Sequence, residues 1–174
     1  MKTYTIRQLN EMPVAAFIQA LGQVFEHSPW VVEAAAAMRP FSNAKALSAA
    51  CESALFGADP STQLNLIRAH PELAAKLDQL PGLTEFSQGE QGRAGFAALS
   101  PEVLAQMRDA LGRYSERFGH PFILCVTEHP AEDVLPILEV RVAAGSDAER
   151  LACLYQIGRI GWHRICSLVD TTEL

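Results

Sequence analysis

The sequence predicts an all-α protein, a single compact domain of about eight mostly short helices over residues 1–174. Apolar side chains recur at intervals of three and four residues through most of the chain, as on the buried face of a helix. Prolines, glycines and capping side chains divide this pattern into short segments. The continuously apolar run at 122–126 could be an extended segment, but a single run of this kind is not enough to form a sheet. A chain of 174 residues is long enough to bury one continuous core.

Composition and charge exclude several classes of protein. Hydrophobic residues make up 49% of the chain and charged residues 20%, as in a soluble globular protein. The formal net charge of -6 argues against binding to the negatively charged phosphate backbone of a nucleic acid, so we expect no nucleic acid partner. No apolar run is long enough to span a bilayer, so we expect no membrane. The cysteines form no C-x-x-C pair and the chain opens without an apolar signal core, so we expect a reduced, cytoplasmic protein.

Four helices are predicted before residue 70, each bounded by proline, glycine or a capping side chain. Their ranges are 13–25, 29–38, 43–56 and 60–69. In the fourth helix Asp59 is the cap and Pro60 a favourable first-turn residue, and we expect Leu64 and Ile67 to face inward.

Five helices are predicted in the rest of the chain by the same signals. They cover residues 72–80, 84–99, 101–118, 131–144 and 146–169. Ser100 is a cap for the third of these, and Pro136 should disturb the fourth. In the last helix Ser146 and Glu149 fit a capping box, and we expect Leu151 to begin its apolar stripe.

The His70-Pro71 step marks a break between helices. A residue before proline is driven out of the α region, so the ring of His70 should be presented at a corner. Histidine takes or gives a proton near neutral pH with little tuning, which suits acid/base chemistry. On the dipeptide alone, the simpler interpretation is a helix end whose ring bonds nearby backbone.

A polar strip is predicted on the helix over 84–99. Ser87, Glu90, Gln91 and Ala94 fall at i, i+3, i+4 and i+7, so a hydroxyl, a carboxylate and a carboxamide share one face beside a small residue. Such a strip suits the wall of a ligand pocket. The alternative, which spacing alone favours, is a solvated helix face on which Glu90 pairs with Arg93.

Arg164 shares a face of the last helix with Ile160 and Leu168. An unpaired buried charge is costly, so an arginine on an apolar face needs a partner, and Glu90 or a substrate carboxylate could supply one. The alternative is a side chain that lies along the surface with its guanidinium in water.

A second His-Pro step, at His120 and Pro121, precedes an extended run that begins with Phe122 and Ile123. Extended backbone outside a sheet must find hydrogen-bond partners, and a polar heterocycle is one candidate. A packed loop that fills the core is the other interpretation of this run.

The sequence contains no recognised metal or nucleotide motif. The histidines show no H-x-x-x-H spacing, and glycine-rich phosphate loops and the G-x-S-x-G motif are lacking. We therefore expect no metal, no nucleotide cofactor and no serine hydrolase chemistry.

Six blocks occur in order along the chain: FEHSPWV at 25–31, RPF at 39–41, IRAHPEL at 67–73, SQGEQGRAG at 87–95, RFGHPFI at 117–123 and RIGWHRI at 159–165. Together they resemble the family of 2-oxo-4-hydroxy-4-carboxy-5-ureidoimidazoline (OHCU) decarboxylases. The resemblance covers nearly the whole chain, and six blocks in register are far more specific than any one of them.

The resemblance implies an all-helical, cofactor-free enzyme, commonly a homodimer, that converts OHCU to (S)-allantoin and carbon dioxide in urate degradation. By match to the family's blocks, the implied catalytic residues are His70, Glu90 and Arg164. The implied substrate-binding residues are Pro71, Ser87, Gln91, Phe122 and Ile123.

Three positions depart from the family's usual residues. His120 stands where many relatives carry an aromatic residue, and it could alter one wall of the pocket. Gly161 replaces the usual alanine and Ile165 the usual leucine, and we expect both to matter little.

Loss of carbon dioxide leaves an enolate-like charge that the site must stabilise and then protonate on one face. We expect His70 to move the proton, Glu90 to orient the substrate and Arg164 to anchor an anionic group. Two alternatives stay open. One is a non-enzymatic helical module that binds a partner helix through the polar strip and Trp30. The other is a related ureide lyase or hydrolase with a different substrate.

Overall fold

The structure is a computed structural model, and it describes residues 4–71, 73, 96 and 99–170. Within these residues the chain forms eight α-helices and no strand, apart from an isolated bridge between Tyr4 and Val169. The prediction of an all-α protein is confirmed. The helices are α1 Ile6–Glu11, α2 Val14–Leu21, α3 Trp30–Ala36, α4 Ala44–Gly57, α5 Pro60–Ala69, α6 Pro101–Phe118, α7 Ala131–Val142 and α8 Ser146–Leu168.

The chain divides into two compact units, one of Met1–Ala69 with Ile157–Leu174 and one of His70–Gln156. The long helix α8 contributes its first part to the second unit and its last part to the first. The prediction that residues 1–174 form a single domain stays a prediction. None of the helices in the described ranges combines the length and apolar character of a bilayer span.

In the first unit α2 packs on α3 and α3 on α4. The helix α1 was missed in the sequence. A capping box starts it: Gln8 N donates to Thr5 Oγ1 at 3.2 Å, and Thr5 N donates to Gln8 Oε1 at 2.9 Å. Large buried side chains of this unit are Leu9, Phe17, Leu21, Phe25, Leu47, Leu55, Leu66 and Ile67.

The connection between α3 and α4 is tied to α1. Arg39 donates to the carbonyl oxygens of Leu9 at 3.2 Å and Met12 at 2.7 Å, which lie at the end of α1. The side chain of Asn10 exchanges two hydrogen bonds of 2.8 Å with the backbone of Phe41. The bonds from Arg39 satisfy backbone groups that a helix end leaves without partners.

In the second unit α6 packs on α7 around a shared apolar core. The predicted ends of α6 are confirmed: Ser100 Oγ accepts from Val103 N at 3.3 Å, and Gly119 closes the helix with a left-handed φ of 66°. The helix α7 continues through Pro136. Buried core members are Leu73, Phe96, Met107, Leu111, Tyr114, Phe122, Leu124, Val126, Val134 and Leu138.

Several details of the predicted helices were wrong. Leu64 is only half-buried, and its neighbour Gln63 faces inward, because the amide of Gln63 donates to the carbonyl oxygens at the end of α4. In α8 Leu151 is 46% exposed and Glu149 is buried in its place. Glu149 bonds side chains of α6 and α7, so it does not serve as the capping-box acid. The helices predicted at 72–80 and 84–99 lie outside the described residues, apart from Leu73, Phe96 and Leu99.

Candidate active site

His70 directly follows the last residue of α5, and its side chain is buried. The two ends of α5 explain this position. At the start, Asp59 Oδ1 accepts from the backbone N–H groups of Ser61 at 2.9 Å and Thr62 at 3.1 Å. Hydrogen bonds from Ser61 and Thr62 lower the pKa of Asp59. At the other end, Pro71 prevents a further helical turn. The predicted corner at His70 is therefore present.

Arg164 lies on α8 with a side chain that is 2% exposed. Its Nη2 donates to Glu26 Oε1 at 3.0 Å, and its Nη1 donates to the carbonyl oxygen of Val24 at 3.0 Å. The prediction that this arginine sits on a buried face is confirmed, and the alternative of a guanidinium in water is wrong. Both bonds fix the direction in which the guanidinium plane faces.

Glu26 was missed in the sequence as the partner of Arg164, although the block FEHSPWV contains it. It occupies the connection between α2 and α3, and it is buried between residues of the core. The next residue, His27, has a φ of 51°, a left-handed conformation that few non-glycine residues adopt. A charged residue directly after Phe25 and shortly before the Ser28-Pro29 helix break was the available signal, because a buried acid needs a cation.

Gly161 shapes the packing beside Glu26. A Cβ atom at Gly161 would lie 2.7 Å from both Cε1 and Cζ of the buried Phe25 ring, closer than carbon atoms can approach. The ring of Phe25 therefore occupies the space in which the methyl group of an alanine at position 161 would lie. The expectation that glycine at this position matters little was wrong for the packing of the first unit.

The run from Phe122 to Val126 is irregular and buried, as predicted. The Cys125 N–H donates to Gln156 Oε1 at 2.8 Å, and the Ile123 carbonyl oxygen accepts from Arg141 Nη1. Side chains of neighbouring helices thus provide hydrogen-bond partners for the backbone groups of Ile123 and Cys125. In a sheet, a neighbouring strand would provide these partners, and the described residues form no sheet. We call residues 122–126 the extended segment.

His120 precedes the extended segment and joins an aromatic cluster. Its ring stacks on Phe118 with 5.8 Å between ring centroids and meets the edge of Tyr114 at 5.6 Å. Tyr114 in turn meets the edge of Phe122 at 5.3 Å. The imidazole therefore serves in the packing role that an aromatic residue would fill at this position.

A cavity of about 280 Å³ borders the start of the extended segment. Leu111, Gly112 and Ser115 of α6 line one side of it, and Pro121 and Phe122 also line it. The volume is close to the lower end of the range for pockets that hold small organic ligands.

His70, Pro71, Phe122 and Ile123 all belong to the second unit. Arg164 belongs to the first unit. Ser87, Glu90 and Gln91 lie outside the described residues, so the roles predicted for the polar strip stay predictions.

A tightly bonded group of side chains lies beside the extended segment, and no pattern in the sequence had indicated it. The carboxylate of Glu149 accepts from Tyr114 Oη and from Arg141 Nε and Nη2, the bond from Nε being 3.1 Å. Cys153 Sγ lies 3.4 Å from Tyr114 Oη. Burial is the main cause that raises the pKa of Tyr114, and it raises the pKa of Cys153 to about 11.

Comparison with known proteins gives a consistent match. Residues 10–166 match the family model described as OHCU decarboxylase. A 2-oxo-4-hydroxy-4-carboxy-5-ureidoimidazoline decarboxylase from Haloferax volcanii is 32% identical over 165 residues, which cover 95% of this chain and 96% of that protein. The uric acid degradation bifunctional protein PucL from Bacillus subtilis is also 32% identical over 95% of this chain, which spans 33% of its length.

A solved structure supports the same assignment. The crystal structure of an (S)-allantoin synthase superposes with a TM-score of 0.76 and 26% sequence identity. The match covers 96% of this chain and 54% of the other, so this chain spans about half the length of that protein. The family model spans all six of the blocks that carried the resemblance. The chain belongs to the OHCU decarboxylase family.

Proposed function

We propose that this chain decarboxylates OHCU to (S)-allantoin and carbon dioxide, with His70 as the group that moves protons. The observation that carries the proposal is the family match over residues 10–166, which includes every candidate site residue. The buried corner at His70 supports it, because an imidazole held at a helix break has a fixed direction in which to exchange a proton.

The chemistry requires proton movement at three positions of the substrate, which are the imine nitrogen, the 4-hydroxyl and C5. The bond from C4 to the carboxylate breaks and releases carbon dioxide, its electron pair moves into the ring, and the imine nitrogen takes up a proton. The 4-hydroxyl then loses its proton and becomes a carbonyl, while C5, which carries the ureido group, gains a proton on one face. A histidine that removes the hydroxyl proton can serve this sequence, and we assign that step to His70.

We assign to Arg164 the role of anchoring the negatively charged group of the substrate. Its bonds to Glu26 and the Val24 carbonyl fix the orientation of the guanidinium, and a charge held in a fixed direction stabilises a developing anion without reorganising. Glu26 is then a positioning residue for Arg164. Glu90 keeps the role of orienting the substrate, by its match to the family's block.

Four further residues are assigned to substrate binding beside Pro71. Phe122 and Ile123 would meet the ureido or ring amides through their backbone, which the irregular conformation of the extended segment supports. The cavity that borders Phe122 supports the same assignment. Ser87 and Gln91 would bind other polar groups of the substrate.

We further propose that the protein is a cytoplasmic homodimer. None of the four cysteines, which all lie in the described residues, forms a disulfide, as is typical of a reducing compartment. Analytical ultracentrifugation tests the dimer: a species of twice the 19.0 kDa chain mass is expected, and a monomer at micromolar concentration would contradict it.

The activity test uses freshly generated OHCU, followed by absorbance and circular dichroism with and without the protein. A decarboxylase speeds both the loss of OHCU and the appearance of dextrorotatory allantoin with release of carbon dioxide. A helical binding module would leave the spontaneous rate unchanged. A hydrolase or other lyase would either leave OHCU untouched or consume it without forming allantoin.

A further inference from the structure

One arginine contacts both residues of the extended segment that the proposed function assigns to the substrate. Arg141, near the end of α7, donates from Nη1 to the carbonyl oxygen of Ile123. Its guanidinium carbon also lies 4.6 Å from the centroid of the Phe122 ring, in cation–π geometry. The same side chain therefore restrains the backbone of Ile123 and the ring of Phe122.

Arg141 is itself held by a fork of hydrogen bonds. Its Nε donates to Glu149 Oε2 at 3.1 Å, and its Nη2 donates to Glu149 Oε1. The side chain of Arg141 is 11% exposed and that of Glu149 is 0% exposed. Tyr114 Oη donates to the same Glu149 Oε1. We call Arg141, Glu149 and Tyr114 the arginine clamp.

The clamp acts on the direction of the peptide groups in the extended segment. A trans peptide is planar, with its C=O and N–H pointing to opposite sides. Because Arg141 holds the carbonyl of Ile123, the N–H of Leu124 in the same peptide plane is directed to the other side of the segment. The bond from Cys125 N to Gln156 Oε1 fixes the following peptide group in the same manner.

Stability alone is a weak reason for an ion pair in this place. Well-packed apolar residues of similar volume often stabilise a protein as well as or better than a buried ion pair, because removing two charges from water is costly. What apolar residues cannot do is hold a carbonyl oxygen and an aromatic ring in one fixed arrangement. A fork-shaped donor does both.

We propose that Arg141, braced by Glu149 and Tyr114, is a positioning residue that fixes the backbone at Ile123 and Leu124 for binding of the ureido-bearing heterocycle. This inference rests on the proposed function. It adds to that function a residue that does not touch the substrate and acts through the extended segment.

The clamp should affect substrate binding more than the chemical step. In Arg141→Lys the charge and the stem stay, but the fork and the stacking on Phe122 are lost, so we expect KM to rise about tenfold while kcat changes by less than about threefold. Arg113→Lys is the matched control, because Arg113 pairs with Glu139 and Asp109 on the exposed surface, and its KM should equal that of the wild type.

A double variant separates positioning from stability. Arg141→Met with Glu149→Gln removes both buried charges at similar volume and leaves an acceptor for Tyr114, so it should fold and yet raise KM more than Arg141→Lys does. Gln156→Met loosens the same segment at Cys125 without touching a buried charge, and KM should rise in the same direction. Circular dichroism and urea unfolding establish that each variant is folded.

The outcomes distinguish the inference from the function on which it rests. If the wild type does not speed the loss of OHCU, the proposed function is wrong. If the wild type is active and the folded variants of Arg141 and Gln156 keep the wild-type KM, or lose kcat alone, the clamp does not position the substrate. Graded rises in KM, partly rescued by lysine relative to methionine at Arg141, are the expected result.

Discussion

Glu26 and Arg164 form a buried ion pair that joins two positions 138 residues apart in the sequence, with Arg164 Nη2 3.0 Å from Glu26 Oε1 and both side chains 2% exposed. A buried guanidinium that loses its carboxylate is left with an uncompensated charge. The buried guanidinium of Arg164 on the last helix therefore depends on Glu26, which lies in the connection between α2 and α3.

Replacing Glu26 should lower stability strongly. We expect Glu26→Ala to reduce the free energy of unfolding by about 3–5 kcal/mol, because removing one partner of a buried ion pair is strongly destabilising. Urea unfolding followed by circular dichroism measures the change. Glu11→Ala is the control, since Glu11 pairs with Arg7 on the exposed surface of α1, and it should change stability very little. A loss below about 1 kcal/mol for Glu26→Ala would show that the pair is not needed.

Replacing Gly161 by alanine should destabilise this chain. The new methyl group would lie 2.7 Å from the ring of Phe25, and overpacking of this kind costs about 1–3 kcal/mol. Gly112→Ala is the control with the opposite sign, because no atom lies within 4 Å of the added Cβ and alanine favours a helix interior by about 1 kcal/mol. Thermal unfolding should show a lower melting temperature for Gly161→Ala and a higher one for Gly112→Ala than for the wild type. Equal and positive effects on the melting temperature would contradict the close contact with Phe25.

Alkaline pH should destabilise the fold through Cys51. Burial raises the pKa of this thiol from 9.0 to about 12, with a smaller contribution from Glu52. A raised pKa means that the folded state holds the proton more tightly, so this contribution to stability is complete below pH 9 and is lost as the pH rises toward 12. The free energy of unfolding should fall by up to about 1.4 kcal/mol per pH unit in that interval.

The variant Cys51→Ala tests this pH dependence. It should lower stability at pH 8 but flatten the decline measured by urea unfolding between pH 9 and pH 11. Cys166→Ala is the control, since Cys166 is partly exposed and Cys51 remains in place. An unchanged slope in Cys51→Ala would mean that the buried thiol does not titrate with the unfolding transition.

The helix boundaries that carry local signals could be predicted from the sequence. Asp59 with Pro60 starts α5, Pro71 ends it beyond His70, and Ser100 with Gly119 bounds α6, because each signal acts within one helical turn. The six-residue helix α1 was missed because it is too short to show a period, although Thr5 and Gln8 form a capping box. The proline directly after His70 was enough to predict that the helix ends there.

The side chains that bond across the fold could not be predicted in the same way. Glu149 follows a serine at capping-box spacing, and only the packing of α6, α7 and α8 turns it toward Arg141 and Tyr114. The pairing of Glu26 with Arg164 likewise depends on tertiary contact. A single sequence reveals that a buried arginine needs an anion, but it does not say which of the acidic residues will reach it.

The central claim is that His70 moves the proton during decarboxylation of OHCU, and the turnover of His70→Ala tests it most directly. Loss of general acid/base catalysis should lower kcat by about 10²–10⁴ while circular dichroism shows a folded protein. The control His129→Ala changes a half-buried histidine outside the candidate site and should keep wild-type turnover. Near-normal turnover and unchanged optical purity of the allantoin formed by folded His70→Ala would contradict the claim.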